Sequence, residues 1–401
     1  MQGKPNLMII GGGIIGITIA REAALSRRFS QIKILEKEQI PGLHASSRNS
    51  GVIHSGFYYS SDTKKAEYCS EANTLMRDYV VKNLIPHQKC GKVVVSNNSK
   101  DDGILEELLN RGNNNNSNIK LLPSKYLDNY EKLARSNNSF LWSPNTWSAS
   151  PRDVLKTLIK EILEFKIQII TNKKVIEIGD HFVRCTNNER FNFDYMVNAS
   201  GAYALDIAIK SGLKLPYKSI PFKGLYLKSK NKIQFFRRHI YPVPEISMPF
   251  LGIHTTLTYD GYLKLGPTAI PALSAENYDI FKGIDLLQLP DLIRLQLNLF
   301  INNDFNFRNL ALREVKFLFK RNIIKEAQKL TKYILNDSDF DWYSPGIRAQ
   351  LYNFETKSLE MDFIFKQDNN ILHLLNSVSP AWTCSFKTAK EVIKIISQKL
   401  I

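Results

Sequence analysis

Apolar residues along this chain follow two rhythms, and the first change between them is the most informative. Residues 7–10, LMII, form a short apolar run that passes straight into GGGIIG, after which Ile17, Ala20, Ala24 and Leu25 recur at helical spacing. IKILEK follows as a second predicted strand ending at Glu36, which completes a βαβ start. A helix is predicted over 64–81, and KCGKVVVSNN reads as a strand of a different sheet. RGNNNNSN reads as a low-complexity solvent loop. From residue 151 the α/β pattern returns, with a helix in RDVLKTLIKEILEF and strands in IQIIT, KVIEIG and HFVRC. FDYMVNASGAYALDIAIKSG is another strand, tight turn and helix. A strand-rich region with IPFKGLYLKS and DGYLKLGPTA comes next. Residues 281–335 are predicted helical, although Ile293, Leu295, Leu297 and Leu299 alternate with period two. The tail carries SPGIRAQLYNF, a strand NILHLLNS, and a closing helix with Val392, Ile395, Ile396 and Leu400 on one face.

The fold class predicted is α/β: a discontinuous Rossmann-like domain with a second α+β domain on a mixed or antiparallel sheet. A length of 401 residues suits two domains. Composition adds mainly exclusions. With 43% apolar and 23% charged residues the chain is globular rather than disordered. Cys69, Cys90, Cys185 and Cys384 lack the close pairing of a zinc or dithiol motif, so no metal site is expected. The first apolar run is shorter than the ~20 residues of a bilayer span and lacks a secretory n-region, so a cytoplasmic protein is expected.

Lys and Arg outnumber Asp and Glu by 54 to 38, a net charge of +16. Such an excess suits an anionic contact, although a Lys- and Asn-rich composition also raises it without function. Residues 308–332 hold eight basic side chains against Glu314 and Glu326, interleaved with Leu310, Val315, Leu318, Phe319, Ile323 and Leu330. This reads as a solvated helix face, with peripheral contact at the inner face of a membrane as the other reading. Aromatic interleaving for base stacking is missing, so no nucleic-acid partner is expected.

Gly11, Gly13 and Gly16 fit G-x-G-x-x-G between a strand and a helix. The first permits the turn, the second admits a pyrophosphate to the helix N-terminus, and the third lets helix and strand pack. Glu36 ends the next strand 20 residues after Gly16, where a carboxylate accepts from a ribose hydroxyl. The fingerprint alone does not separate FAD from NAD. A simple NAD enzyme continues with short βαβ repeats, whereas here SSRNSGVIHSGFYY and a new sheet intervene, and YMVNASGAYA supplies a second turn suited to an extended cofactor. FAD is therefore the expected cofactor.

IIGGGIIG, LEKE, RNSGVIHSGFYY, CGKVVVS, NASGAYA, PFKGLYL, YPVPEISMPFLGIHTT, DGYLKLGPTA, GIRAQ and ILHLLNSVSPAWTCS occur in this order from residue 7 to the last helix. Together they resemble the FAD-dependent L-2-hydroxyglutarate dehydrogenase/oxidase family of the D-amino-acid oxidase-like flavoproteins. The resemblance implies FAD, bound without a covalent link, on residues 1–84, 150–215 and 340–401, and a substrate domain on 85–149 and 216–339. It implies oxidation of a dicarboxylate 2-hydroxy acid, L-2-hydroxyglutarate, to 2-oxoglutarate with a quinone or oxygen as acceptor. The alternatives are a glycerol-3-phosphate or amine oxidoreductase of the same superfamily, a tRNA-modifying flavoprotein, and a non-catalytic flavin binder.

Cofactor contacts are expected from Gly11, Gly13, Ile14, Ile15, Gly16, Glu36 and Lys37, and from Ser47, Asn49, Ser50 and Gly51 of the loop whose small residues leave clearance. Val175, Ala199, Gly201, Gly346, Arg348, Pro380, Ala381 and Thr383 complete the set, the last three at a helix N-terminus whose dipole favours negative charge. Hydroxy-acid oxidation needs a base and cations for carboxylates. A neutral histidine suits the base: His254 is the expected one, with His54 orienting flavin or substrate. Arg348 is expected to grip one carboxylate through a bidentate fork, Lys223 to hold charge near the other, and Tyr241 to donate a hydrogen bond. Trp382 and Cys384 stand where the family usually has small residues.

Overall fold

Leu7 to Ile10 are all buried, so the strand β1 (Asn6–Ile10) is covered on both faces. The computed structural model describes residues 3–245, 248–279 and 282–398. Leu400 of the closing helix, residue 281, and Ile246 and Ser247 of the YPVPEISMPFLGIHTT segment lie outside them. β1 sits inside a six-stranded sheet, parallel to β2 (Gln31–Leu35) on one side and to Tyr195–Asn198 on the other. Gln168–Ile170 forms one edge, and Ile371–Asn376 with the antiparallel Ile364–Asp368 forms the other.

Period two sends alternate residues of β1 into different cores. Leu7 and Ile9 meet the helix α1 (Ile14–Ser26) and the helices Pro151–Glu164 and Ala381–Ser397 through Ile17, Leu158 and Val392. Met8 and Ile10 face Val183, Cys185 and Ile207 under a small antiparallel sheet of Val175–Gly179, Phe182–Cys185 and Arg190–Asn192. α1 has almost no polar face, because it is enclosed between the sheet and those helices.

A short strand, β3 (Val52–Ile53), and the helix α2 (Lys64–Lys82) lead into the second, mixed sheet. Its central path runs from Phe340–Asn353 through Tyr217–Ser229, Leu263–Gly266, His254–Leu257 and His239–Pro242 to Lys92–Val95, Ser139–Ser143 and Lys120–Pro123. Neighbours are antiparallel except for His239–Pro242, which lies parallel to Lys92–Val95. Phe340–Asn353 therefore belongs by pairing to the second sheet, although the sequence grouped residues 340–401 with the first domain.

The period-two stretch at 293–299 is helical, within Leu289–Asn302, and the basic region breaks into the short helices Phe307–Val315 and Lys320–Gln328. Leu310, Ile323 and Leu330 are buried there, while Val315, Leu318 and Phe319 are exposed. One expectation is overturned. RGNNNNSN is not a solvent loop: its first residues end the helix α3 (Asp101–Asn114), and Asn115 and Ser117 are buried. Their side chains have an acceptor to reach that composition does not reveal.

Candidate active site

A cavity of about 800 Å³ is lined from both sheets, toward the upper end of the ~300–1,000 Å³ usual for small-molecule sites. Its first wall is the turn after β1, where Ile10, Gly11, Gly13, Ile14 and Ile15 line it. Gly11 has φ +108°, and a Cβ there would stand 2.6 Å from the Ala199 carbonyl oxygen, so only glycine fits. Gly13 differs. It has an ordinary φ of −75° at the N-cap of α1, and a Cβ would meet only the Ser46 hydroxyl, at 3.1 Å. The missing side chain leaves space for a ligand at a helix N-terminus, as an anionic pyrophosphate requires. Gly16 is off the cavity; its Cβ would strike the Gly11 carbonyl at 2.0 Å, so it serves helix packing.

Glu36 lines the cavity just beyond β2 and is buried. Its Oε2 accepts from the Gly12 amide at 2.7 Å and its Oε1 from the Glu38 amide at 2.9 Å. A carboxylate held this way keeps lone pairs for ribose hydroxyls. Lys37 lines the cavity too and pairs with Glu38 and Glu276. This end of the cavity fits the adenosine diphosphate half of a dinucleotide.

The next wall is the irregular loop. Ser46, not Ser47, makes the contact with the glycine turn: its Oγ accepts from the Ile14 amide at 2.8 Å. Ser47 turns toward the Leu43 carbonyl, and Gly51, with φ +76° and Ala149 O 2.4 Å from a Cβ, faces neighbouring backbone; neither lines the cavity. Asn49 and Ser50 do. Asn49 folds the loop by accepting from the Gly51 amide and donating to the Ser46 carbonyl, both at 2.9 Å.

Beyond β3, His54 is fixed through its backbone. Its amide donates to Thr383 Oγ1 at 3.1 Å, and its carbonyl accepts from Asn73 Nδ2 at 3.0 Å and Cys69 Sγ at 3.4 Å. Asn115 Nδ2 donates to the Gly56 and Tyr59 carbonyls at 3.1 and 2.8 Å, and Ser117 Oγ to the Ser55 carbonyl at 2.7 Å. The Asn-rich run thus holds the histidine loop from behind. The His54 ring lines the cavity and makes no hydrogen bond among the described residues.

The opposite wall comes from the second sheet. His254 Nδ1 lies 2.8 Å from the Gly252 carbonyl, which makes Nδ1 the protonated nitrogen and Nε2 the acceptor, and its ring stacks on Tyr241 with centroids 3.8 Å apart. Burial, reinforced by the nearby Lys92 charge, takes His54 well below its ordinary 6.5 and His254 down to about 3. Both are neutral at physiological pH. Arg348 donates through Nη1 to the Thr268 carbonyl at 3.3 Å, and no carboxylate pairs with it among the described residues. Its guanidinium has donors left for an anionic ligand.

Val175, Ala199, Gly201, Gly346, Pro380, Ala381 and Thr383 all line the cavity. Lys223 does not. Gly224 and Tyr226 of its strand line the cavity, and strand alternation sends Lys223 the other way, where Nζ donates to Asn277 Oδ1 at 3.0 Å and the Asp279 carbonyl at 2.9 Å. Trp382 forms part of the wall, and Cys384 is packed away with Tyr68 and Phe363.

Sequence reasoning missed Ser46, Tyr58 and Lys65, which line the cavity, and Lys92 behind it. Lys92 is 0% exposed, with Nζ 4.5 Å from the Tyr58 and Tyr241 rings and 4.6 Å from Phe57. Among the described residues it has no hydrogen-bond partner, and burial takes its pKa down to about 7. A lysine heading three valines in a central strand was the available signal.

The FAD dependent oxidoreductase family model matches residues 6–395. The mitochondrial L-2-hydroxyglutarate dehydrogenase of Caenorhabditis briggsae is 30% identical over 97% of this chain and 92% of its own length, and that of Bos taurus is 30% identical over 98% and 89%. The Escherichia coli L-2-hydroxyglutarate dehydrogenase is 28% identical over 98% and 94%. Among solved structures, L-alpha-glycerophosphate oxidase from Mycoplasma pneumoniae with FAD bound superposes with a TM-score of 0.74 at 21% identity, covering 99% of this chain and 95% of the other. Glycine oxidase from Geobacillus kaustophilus gives 0.71 at 14% identity, with 99% and 95% covered. The dinucleotide turn and its carboxylate, the neutral histidines and these full-length matches lead to one assignment: the chain belongs to the FAD dependent oxidoreductase family, on its L-2-hydroxyglutarate dehydrogenase branch.

Proposed function

We propose that this chain oxidises L-2-hydroxyglutarate to 2-oxoglutarate with FAD. The observation that carries the reading is that Arg348, whose guanidinium meets no carboxylate among the described residues, and a neutral imidazole, His54, whose ring bonds none of them, line one cavity that begins at the dinucleotide turn. Arg348 grips the carboxylate next to the reacting carbon through its fork. His54 accepts the hydroxyl proton as the ketone forms. When bound, the flavin supplies a two-electron acceptor for the hydride from C2. The roles anticipated for the two histidines are exchanged in this reading. His254 is only 5% exposed, lies against Tyr241 and is committed through Nδ1, which suits it to orienting.

The cofactor half in this reading comprises residues 3–84, 150–215 and 360–398; residues 85–149 and 216–339, with the strands Phe340–Asn353 and Ser358–Leu359, form the substrate half.

The test is an anaerobic titration of the purified holoprotein with L-2-hydroxyglutarate, its D enantiomer, malate, lactate and glycerol 3-phosphate. Bleaching of the flavin band by L-2-hydroxyglutarate in preference to the others is expected. Preferential bleaching by glycerol 3-phosphate would transfer the chain to the other activity.

A membrane-held quinone is the proposed acceptor, with oxygen as the alternative. Among the described residues no helix is long and apolar enough to cross a membrane. Leu286, Leu287, Ile301 and Phe319 are each at least 67% exposed, and Arg294, Arg308, Lys316 and Arg321 are exposed in the same stretch. Apolar tips among cations suit an anionic lipid surface. Sedimentation with phosphatidylglycerol but not phosphatidylcholine vesicles is expected, and no sedimentation with either would remove this partner.

A further inference from the structure

Lys92 is a buried lysine for whose ammonium form no carboxylate among the described residues supplies a counter-charge. It lies on the strand Lys92–Val95, opposite His239 on one side and Ser143 on the other, and is completely buried. Its Nζ forms no hydrogen bond, and no ion pair joins it to a carboxylate among the described residues. The titratable groups around it are Cys69, Cys90, His54, His239 and His254, together with Tyr58 and Tyr241. None of these is a carboxylate. The rings of Phe57, Tyr58 and Tyr241 enclose the ammonium at 4.5 to 4.6 Å, but a ring quadrupole replaces only part of the hydration that is lost. Buried charges are ordinarily paired. An unpaired one next to a ligand cavity indicates that the ligand brings the counter-charge.

The cage leads to the cavity. Tyr58 and Tyr241 belong to one apolar cluster and both line the cavity wall, whereas Lys92 stands one layer behind them. Both phenol hydroxyls are buried: that of Tyr58 has no hydrogen-bond partner among the described residues, and that of Tyr241 lies beside the Thr256 hydroxyl. Buried phenol donors in front of a lysine without a counter-charge make a half-site for an anionic group that accepts hydrogen bonds. Arg348 is already assigned to the carboxylate next to the reacting carbon, and Lys223, expected to serve the other, points away.

We propose that Tyr58 and Tyr241, with Lys92 behind them, form the subsite for the second carboxylate of the diacid. This rests on the dicarboxylate reading of the preceding section and deepens it. The two hydroxyls donate to the remote carboxylate. Lys92, which does not touch the ligand, is a positioning residue that supplies the field favouring a charged end group over an apolar one.

The experiment uses the yellow holoprotein and two unreactive probes of equal chain length, glutarate and pentanoate, followed by the change in flavin absorbance on binding. Wild-type protein is expected to favour glutarate. Lys92→Met and, separately, Tyr58→Phe should each weaken glutarate at least tenfold and leave pentanoate within twofold, at unchanged flavin content. Parallel weakening of both probes would show a merely structural role and overturn the proposal. So would an intact preference in both variants, or a preference abolished by Lys65→Met and kept in Lys92→Met. Two failures are distinguishable. If glutarate is preferred through Lys92 while L-2-hydroxyglutarate is not oxidised, the subsite stands and the reaction falls; if oxidation occurs and Lys92→Met keeps the preference, the reverse holds.

Discussion

The same lysine gives a quantitative prediction for stability. Burial takes the ammonium from an ordinary 10.5 to about 7, and each pH unit of that gap is about 1.4 kcal/mol. Holding the charge there therefore costs on the order of 5 kcal/mol relative to the unfolded chain. Lys92→Met keeps the length of the stem and removes the charge, so at low pH the variant should be more stable by an amount approaching that cost, in the direction seen when buried ions are replaced by apolar groups. The sign follows from linkage. Below pH about 7 both states hold the proton and the folded state bears the whole cost. Between about 7 and 10.5 the folded chain releases the proton while the unfolded chain keeps it, so wild-type stability rises toward that of the variant. Urea unfolding of holoprotein at pH 6 and pH 9.5, without added diacid, measures both limits. The gain should be largest at pH 6, smaller at pH 9.5, and reduced at pH 6 by saturating glutarate. A variant less stable than wild type at pH 6, or a gain that does not fall with pH, would refute an uncompensated buried charge.

The two glycines of the turn should fail differently. Gly11→Ala, driven against the Ala199 carbonyl at 2.6 Å, should unfold several degrees earlier, whereas Gly13→Val should fold and elute without yellow colour; a fully loaded Gly13→Val would contradict the cradle. His54→Gln should lower kcat by roughly 10²–10⁴-fold at unchanged flavin content. Because burial holds the His54 pKa well below 6.5, wild-type kcat/KM should not fall between pH 8 and pH 6 from loss of this base; a limb near 6.5 would refute the assignment. Arg348→Ala should raise KM at least tenfold with FAD retained, and an unchanged KM would reject the carboxylate grip. Asn115→Ala removes the donor of the Tyr59 carbonyl and leaves the Gly56 carbonyl with only the Tyr59 amide at 3.4 Å, at a cost of about 1–3 kcal/mol. It should lower Tm and kcat together, and no change in Tm would show that the Asn-rich run does not support the loop.

What could be read from the sequence depended on how local the determining physics was. β1, its glycine turn, α1 and Glu36 are consecutive, and each position is set by a backbone or helix-end requirement that leaves a residue-type signature. His54, His254, Arg348 and Tyr241 were legible as chemistry and through the family resemblance. Lys223 was misjudged because alternation along a strand is certain while its phase is not: a shift of one position exchanges faces, and here Gly224 rather than Lys223 takes the cavity side. Ser46 and Ser47 differ in the same way, with the contact to α1 decided by a turn that only the folded loop defines. Lys92 carries no motif. Its burial emerges only when His239–Pro242 and Ser139–Ser143 flank its strand and the Tyr58 loop covers it.

The Asn-rich run shows why composition misleads next to a ligand loop. A loop kept irregular to give a cofactor clearance has no strand partner to satisfy its carbonyls, and buried carbonyls need donors from elsewhere. Asn73, Asn115 and Ser117 supply them to His54, Gly56, Tyr59 and Ser55. A short amide side chain is well suited because one NH₂ group serves two acceptors at once, as Asn115 does. The residues that make a segment look solvated are therefore the ones an irregular active-site loop requires. In this chain the apparent spacer after α3 and the loop carrying the proposed base form one hydrogen-bonded unit.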